Sequence, residues 1–179
     1  GTLSQSLSSL WPLDEQSGTR FDAFGDNNLA DPNVAVTFTA GVLANAAVFL
    51  PQNSGFLNVP DVANLSGGNR SFSMVTWVNL RSKTSSQNFV SKYMFADTSN
   101  REYRLYYDAD ADRYAWGVRG GTAELVVFAT SFGSPSTATW HMLTGIRDSA
   151  NSVITIQVNT LTVNSASFTT TVNDTSAPF

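Results

Sequence analysis

The chain has no cysteine, one histidine, two lysines and three glutamates. Without cysteine there can be neither a disulfide framework nor a thiolate metal site. With His141 alone, a multi-histidine metal centre is excluded, and a Ser-His-Asp triad would have to use that one residue. Nucleic-acid binding needs a basic face. Here ten Lys and Arg stand against fourteen Asp and Glu, a net charge of −4, so no nucleic-acid partner is expected. No apolar run approaches the ~18 residues of a membrane span, and no membrane insertion is expected. Helical periodicity never lasts beyond about one turn, and Glu and Lys, which favour helix, are scarce. No secretory leader is recognisable, and the chain starts Gly-Thr-Leu-Ser rather than with Met. The expectation is a processed start or a segment of a larger protein.

What is abundant points to strands and turns. Ser, Thr and Asn together make up 56 of 179 residues, and there are 21 aromatics. Thr and aromatics suit pleated, half-buried strands, while Ser, Asn and Gly suit turns. A chain of this length forms one domain, expected over 1–179, and buries a core without staples. Strand-like runs fall at 7–13, 46–50, 55–59, 71–78, 89–95, 101–107, 113–119, 124–130, 139–147, 152–161 and 163–171, with a short turn at 61–65. Strands at ~8–12-residue spacing predict an all-β fold, a two-sheet antiparallel sandwich of jelly-roll type. Alternation along the hairpin 101–119 puts Tyr103, Leu105 and Tyr107 on the core face with Tyr114, Trp116 and Val118. It turns Arg104 and Tyr106 outward, beside Ala115, Gly117 and Arg119.

Several stretches then carry a family resemblance. Ser9-Leu10-Trp11-Pro12-Leu13-Asp14-Glu15-Gln16-Ser17-Gly18, followed by Asp22 before a Gly/Asn-rich loop, resembles the opening of laminin-G-like, concanavalin A-like domains. Asn45-Ala46-Ala47-Val48-Phe49, Phe72-Ser73-Met74-Val75-Thr76-Trp77-Val78, Trp140-His141-Met142-Leu143-Thr144-Gly145 and Ile156-Gln157-Val158-Asn159 resemble later strands of that family. Thr160 stands where its glycine is usual. The resemblance covers about residues 7–165. It implies a two-sheet jelly roll and roles in carbohydrate binding, adhesion and protein–protein contact. The family's closing Gly-x-Ile-Asp-Glu/Asp-Val-Arg-Ile-Tyr strand is not matched. An unpaired sheet edge, open to pairing with neighbouring chains, is therefore expected.

The candidate sites follow from residue chemistry. Glycoside hydrolysis needs two carboxylates ~5–10 Å apart. Glu15, Glu102 and Glu124 do not form the Glu-x-Asp-x-Glu strand of jelly-roll glucanases, so the chain reads as no enzyme. His141 reads as a packed histidine. Asp108, Asp110 and Asp112 begin a calcium-loop pattern, but Arg113 and Arg119 stand where its Gly and Glu belong. That loop reads as a solvated turn. Asp22, Asp26, Asn28 and Asp31 crowd hard oxygen ligands into a glycine-containing loop, which suits a structural Ca2+. The competing reading is an Asx-rich turn that satisfies its own backbone. A sugar site needs exposed aromatics and a few placed polar groups. Arg101, Arg104, Tyr106 and Arg119 on the outward hairpin face are the candidates, with Trp77 as either a core residue or a fifth member.

The leading reading is a non-catalytic carbohydrate-binding or adhesion module whose partners are glycans or surface glycoconjugates. An extracellular, cell-surface or virion-surface location fits the cysteine-free composition. The first alternative is a structural or decoration subunit of a virion or extracellular filament, held by chain–chain contacts. The second is a divergent glycoside hydrolase.

Overall fold

The computed structural model describes residues 6–53, 55–160 and 162–179. These form two compact units, one up to Leu65 together with Pro178, the other Ser66–Ala177 together with Phe179. Among the described residues the elements are β1 (Thr37–Ala40), β2 (Asn45–Val48), β3 (Phe72–Asn79), β4 (Gln87–Tyr93), β5 (Arg101–Asp108), β6 (Arg113–Gly120), β7 (Ala123–Phe128), β8 (Trp140–Asp148), β9 (Val153–Val158) and β10 (Thr162–Ser167), with a 3-10 turn at Pro51–Asn53. Among the described residues there is no α-helix.

The second unit is a sandwich of two four-stranded antiparallel sheets, β10-β9-β8-β3 and β4-β5-β6-β7. The alternation read from the hairpin holds. Tyr103, Leu105, Tyr107, Tyr114, Trp116 and Val118 are all buried, and Leu143, Ile154, Ile156 and Val158 meet them from the other sheet. Trp116 is the largest fully buried side chain. Its indole N–H donates across the sandwich to the Ile146 carbonyl at 3.2 Å, so this polar atom is not buried unsatisfied. Gly145 makes room for the ring, since a Cβ there would sit 2.7 Å from it. Removing such a side chain costs about 3–5 kcal/mol.

Two buried features anchor the end of the chain. Lys92 and Glu102 form an ion pair at 2.7 Å with both side chains inaccessible. Glu102 also accepts the amides of Gly67 and Thr175, and Lys92 donates to the Thr175 carbonyl. Asn173 donates its amide to the Arg119 carbonyl and accepts the Gly121 amide on its side chain. Val172 and Ala177 are buried. The segment after β10 thus lacks strand structure yet is fixed to β5 and β6, where the sequence predicts only an open edge.

The first unit is mostly irregular. The predicted strand at 7–13 does not form. Pro12 has no N–H to donate, the Leu10 amide goes to the Asp22 carboxylate, and Leu13 takes a left-handed φ of 59°. Of the predicted strand at 55–59, only Asn58 pairs, with Ala30, in an isolated bridge. The β1–β2 ribbon contains one strand the sequence reading misses, because all four residues of β1 are exposed and carry no burial alternation. The turn at 61–65 is present, closed by the Leu65 amide on the Val62 carbonyl.

Candidate functional site

The outward face of the sheet β4-β5-β6-β7 carries a connected cluster of polar and aromatic groups. Its composition depends on an irregularity. Lys92 pairs with Tyr103 but Tyr93 pairs with Arg101, which leaves Glu102 as an extra residue on β5. A bulge of this kind lets two successive side chains point the same way. Glu102 and Tyr103 are both buried, while Arg101 and Arg104 are both half-exposed. Strict alternation would have sent Arg101 inward with Tyr103. The bulge returns it to the outward face beside Arg104.

Around these arginines the structure gathers Tyr93, Phe95, Tyr106 and Glu124. The Arg104 guanidinium lies 3.9 Å from the Tyr106 ring centre, 4.7 Å from that of Tyr93 and 5.8 Å from that of Phe95. Its Nε donates to Glu124 Oε1 at 2.8 Å, and Tyr93 donates its hydroxyl to Glu124 Oε2 at 2.9 Å. Arg101 sits 4.7 Å from the Tyr93 ring centre and donates Nε to the Met94 carbonyl at 3.0 Å. Gly117 is opposite Arg104 on β6. A Cβ there would collide with Glu124 Oε1, so the missing side chain opens the diagonal path from Glu124 to Arg104. Arg119 is opposite Glu124 across β6 and β7, but its Nε is buried without a hydrogen-bond partner. Phe95 is 60% exposed and meets Tyr93 edge-on at 5.1 Å.

Electrostatics within the cluster follow from burial and pairing. Burial pushes the Tyr106 hydroxyl up to about 12, against the pull of the adjacent Arg104 charge. Burial and the Glu124 carboxylate both raise Tyr93. Burial works against the Arg104 charge, but the hydrogen bond to Glu124 and its negative charge, with smaller contributions from Tyr106 and Tyr93, together outweigh it and raise the pKa. The phenols therefore stay neutral and the guanidinium charged throughout the physiological range.

Of the predicted ligand residues, Arg101, Arg104, Tyr106 and Arg119 lie on this one face. Tyr106 is only 2% exposed, covered by Arg104, so it is floor rather than contact surface. Trp77 does not join them. It is 47% exposed, neither core nor part of this cluster, and sits on β3 of the other sheet. Tyr93, Phe95 and Glu124 are the members that sequence reasoning misses. The i, i+2 spacing of Tyr93 and Phe95 in the run 89–95 was a usable signal. The place of Glu124 follows only from the β6–β7 register.

The acidic loop arranges its oxygens differently. Asp22 Oδ1 accepts the amides of Leu10, Phe24 and Gly25, and Oδ2 accepts that of Asn27. Burial opposes ionisation of this carboxyl, but the bonds from Gly25, Leu10 and Phe24 outweigh it and bring it to about 2. Asn28 accepts the Asp22 amide. Asp31 accepts the amides of Ala35 and Val36. Asp26 is exposed. These are the bonds of an Asx-rich turn, and among the described residues no three acidic or histidine side chains converge.

The remaining motifs are structural in place. His141 is buried, with Nδ1 3.0 Å from the Tyr114 hydroxyl and its ring against Phe132. Asp112 receives Tyr107, Ser134 and Lys83 at 2.6–2.8 Å and pins the β5–β6 turn.

Residues 51–179 match the family model described as concanavalin A-like lectin/glucanases superfamily, a laminin G family. The chain belongs to this superfamily. No curated protein sequence matches it. Among solved structures, the binding domain of Paraclostridial Mosquitocidal Protein 1 superposes with a TM-score of 0.69 at 15% identity, covering 99% of this chain and 44% of that one. This chain thus spans less than half of that structure. Domain 4 of AbnA, a GH43 extracellular arabinanase from Geobacillus stearothermophilus, in complex with arabinotriose, superposes with a TM-score of 0.59 at 14% identity, covering 92% of this chain and 82% of that one. At these identities both share the concanavalin A-like fold with this chain.

Proposed function

We propose that this concanavalin A-like chain is a non-catalytic glycan-binding module of a surface or extracellular protein, and that its site is the outward face of β4-β5-β6-β7. The carrying observation is the exposed Phe95 and half-exposed Tyr93 set against Arg101 and Arg104. Sugar rings stack their C–H faces on aromatics and take hydrogen bonds from a few placed donors. The arabinotriose complex of the similar domain supports the ligand class. The glutamates support the non-catalytic reading. Glu102 is sealed against Lys92, Glu124 is held by Arg104 and Tyr93, and Glu15 accepts the Phe21 amide.

The test is a glycan array with the chain and its Phe95→Ala variant. Binding by the parent that falls by about tenfold or more in the variant, with the thermal midpoint unchanged, supports the site. Failure to retain any glycan removes the function. For the loop 22–31 we propose the self-satisfied turn rather than the ion. A calcium-dependent rise in the thermal midpoint would restore the ion. The exposed Val75 and Trp77 on β3, a strand that ends its sheet among the described residues, favour chain–chain contact as a second reading. A monomer by sedimentation at high concentration would remove it.

A further inference from the structure

Charge is distributed unevenly over this chain. The whole carries −4, yet the cluster end of the outward sheet face holds Arg101, Arg104 and Arg119, with Glu124 opposite Arg119 in the ladder and Glu102 turned inward to Lys92. Glu124 is consumed by Arg104 and Tyr93. Arg101 turns Nε and Nη2 to backbone carbonyls at the end of β4, which are neutral acceptors and leave its charge unbalanced. Among the described residues the Arg119 Nε has no hydrogen-bond partner and is out of solvent. A buried donor with no acceptor is costly, and its natural complement is an anion. The basic groups here are all arginines. The two lysines are elsewhere, Lys92 in the core and Lys83 on Asp112. A planar guanidinium presents paired N–H groups that match a carboxylate or sulfate, which an ammonium does not.

Resting on the glycan-binding reading above, we infer that the ligand is an acidic sugar, a ring bearing a carboxylate or a sulfate. Phe95, the exposed aromatic of the cluster, takes the C–H face of the ring, and Tyr93 supports it from below. Arg119, with Arg101, takes the anion. Asn173 holds the two arginine backbones together, donating its amide to the Arg119 carbonyl at 2.9 Å and its side-chain N–H to the Arg101 carbonyl at 3.5 Å. A neutral oligosaccharide would meet the same aromatics and leave the Arg119 donors unmatched.

The experiment is isothermal titration of the chain with a galacturonic acid trimer, its methyl ester, a sulfated heparin-derived tetrasaccharide and a neutral arabino-oligosaccharide. Each is run at two salt concentrations. The free acid or the sulfated sugar binds about tenfold or more tighter than the ester and the neutral sugar, because a charge-assisted hydrogen bond outweighs a neutral one. Which of the two acids is preferred identifies the anion. Arg119→Gln brings the acid down to the ester level, and Arg119→Lys, which keeps the charge but loses the fork, falls between. Thermal midpoints confirm that both variants fold. Ester and neutral sugar binding as tightly as the acids, with Phe95→Ala abolishing all of them, overturns the acidic preference and leaves the glycan reading intact. An acid preference that Arg119→Gln does not change also overturns the assignment. No binding by any of the four overturns both.

Discussion

The Asp22 carboxylate organises the irregular first unit, and its contribution can be calculated. Four backbone amides converge on its two oxygens, from residues 10, 24, 25 and 27, and its pKa falls from 3.8 to about 2. A carboxyl whose pKa is depressed by folding stabilises the fold above its unfolded pKa. That contribution is lost as pH falls toward the folded value. At 1.36 kcal/mol per unit, Asp22 contributes about 2 kcal/mol at pH 7, roughly half of that at pH 3 and well under about 1 kcal/mol at pH 2. Asp22→Asn removes the charge and turns one accepting oxygen into a donor facing the Asn27 amide. Its stability deficit against the parent is therefore about 2–3 kcal/mol at pH 7 and narrows steadily below pH 4. Urea denaturation of both proteins at half-unit steps from pH 7 to pH 2.5 measures the gap directly. A deficit that stays constant across that range would refute the electrostatic account and leave Asp22 as a packing residue. A deficit that appears only when calcium is present would hand the carboxylate to a cation.

Three further outcomes are expected. Lys92→Met leaves the Glu102 charge buried without its partner and costs about 3–5 kcal/mol; Lys92→Met with Glu102→Gln regains part of this by removing the charge, and a strictly additive double mutant in chemical denaturation would contradict the coupling. Gly145→Ala drives a methyl group into the Trp116 ring, costing about 2 kcal/mol or more, and calorimetry should show a thermal midpoint lower by ~2–4 °C for each kcal/mol. Burial lowers the pKa of His141, so the fold prefers its neutral form and loses stability as pH falls through about 6.5; His141→Gln abolishes that slope between pH 7 and 5, and an unchanged slope would place its origin elsewhere.

How much of this was legible in the sequence differs between the two units. In the second unit, residues from opposite sheets share one apolar interior, so a strand's burial shows as strict alternation. Tyr103, Leu105 and Tyr107 could be assigned inward from their spacing alone. In the first unit that signal fails. The segment 7–13 has the apolar residues of a strand, but its hydrogen bonds go to a side chain twelve residues on, and no local pattern encodes such a partner. Arg101 lies half-exposed over Tyr93, although simple period-two counting from Tyr103 turns it inward. The bulge that reconciles the two places Glu102 in a buried ion pair with Lys92, ten residues earlier in the chain.

The candidate site shows the same limit. Its arginines were visible because they lie in one hairpin. Glu124 was not, because its role depends on the register of β7 against β6 and on Gly117 leaving the way open. These two facts together determine what the face can do. With a side chain at position 117, Glu124 would be displaced from Arg104 toward Arg119, its direct neighbour across the ladder, and the Arg119 Nε, unpaired among the described residues, would acquire an acceptor. Gly117 therefore keeps Glu124 on Arg104 and leaves Arg119 available. Gly117→Ala should accordingly weaken acidic-sugar binding by blocking Arg119 from within, and titration of that variant with the galacturonic acid trimer measures the effect. Unchanged affinity in a folded Gly117→Ala protein would mean that Arg119 is not the anion's partner.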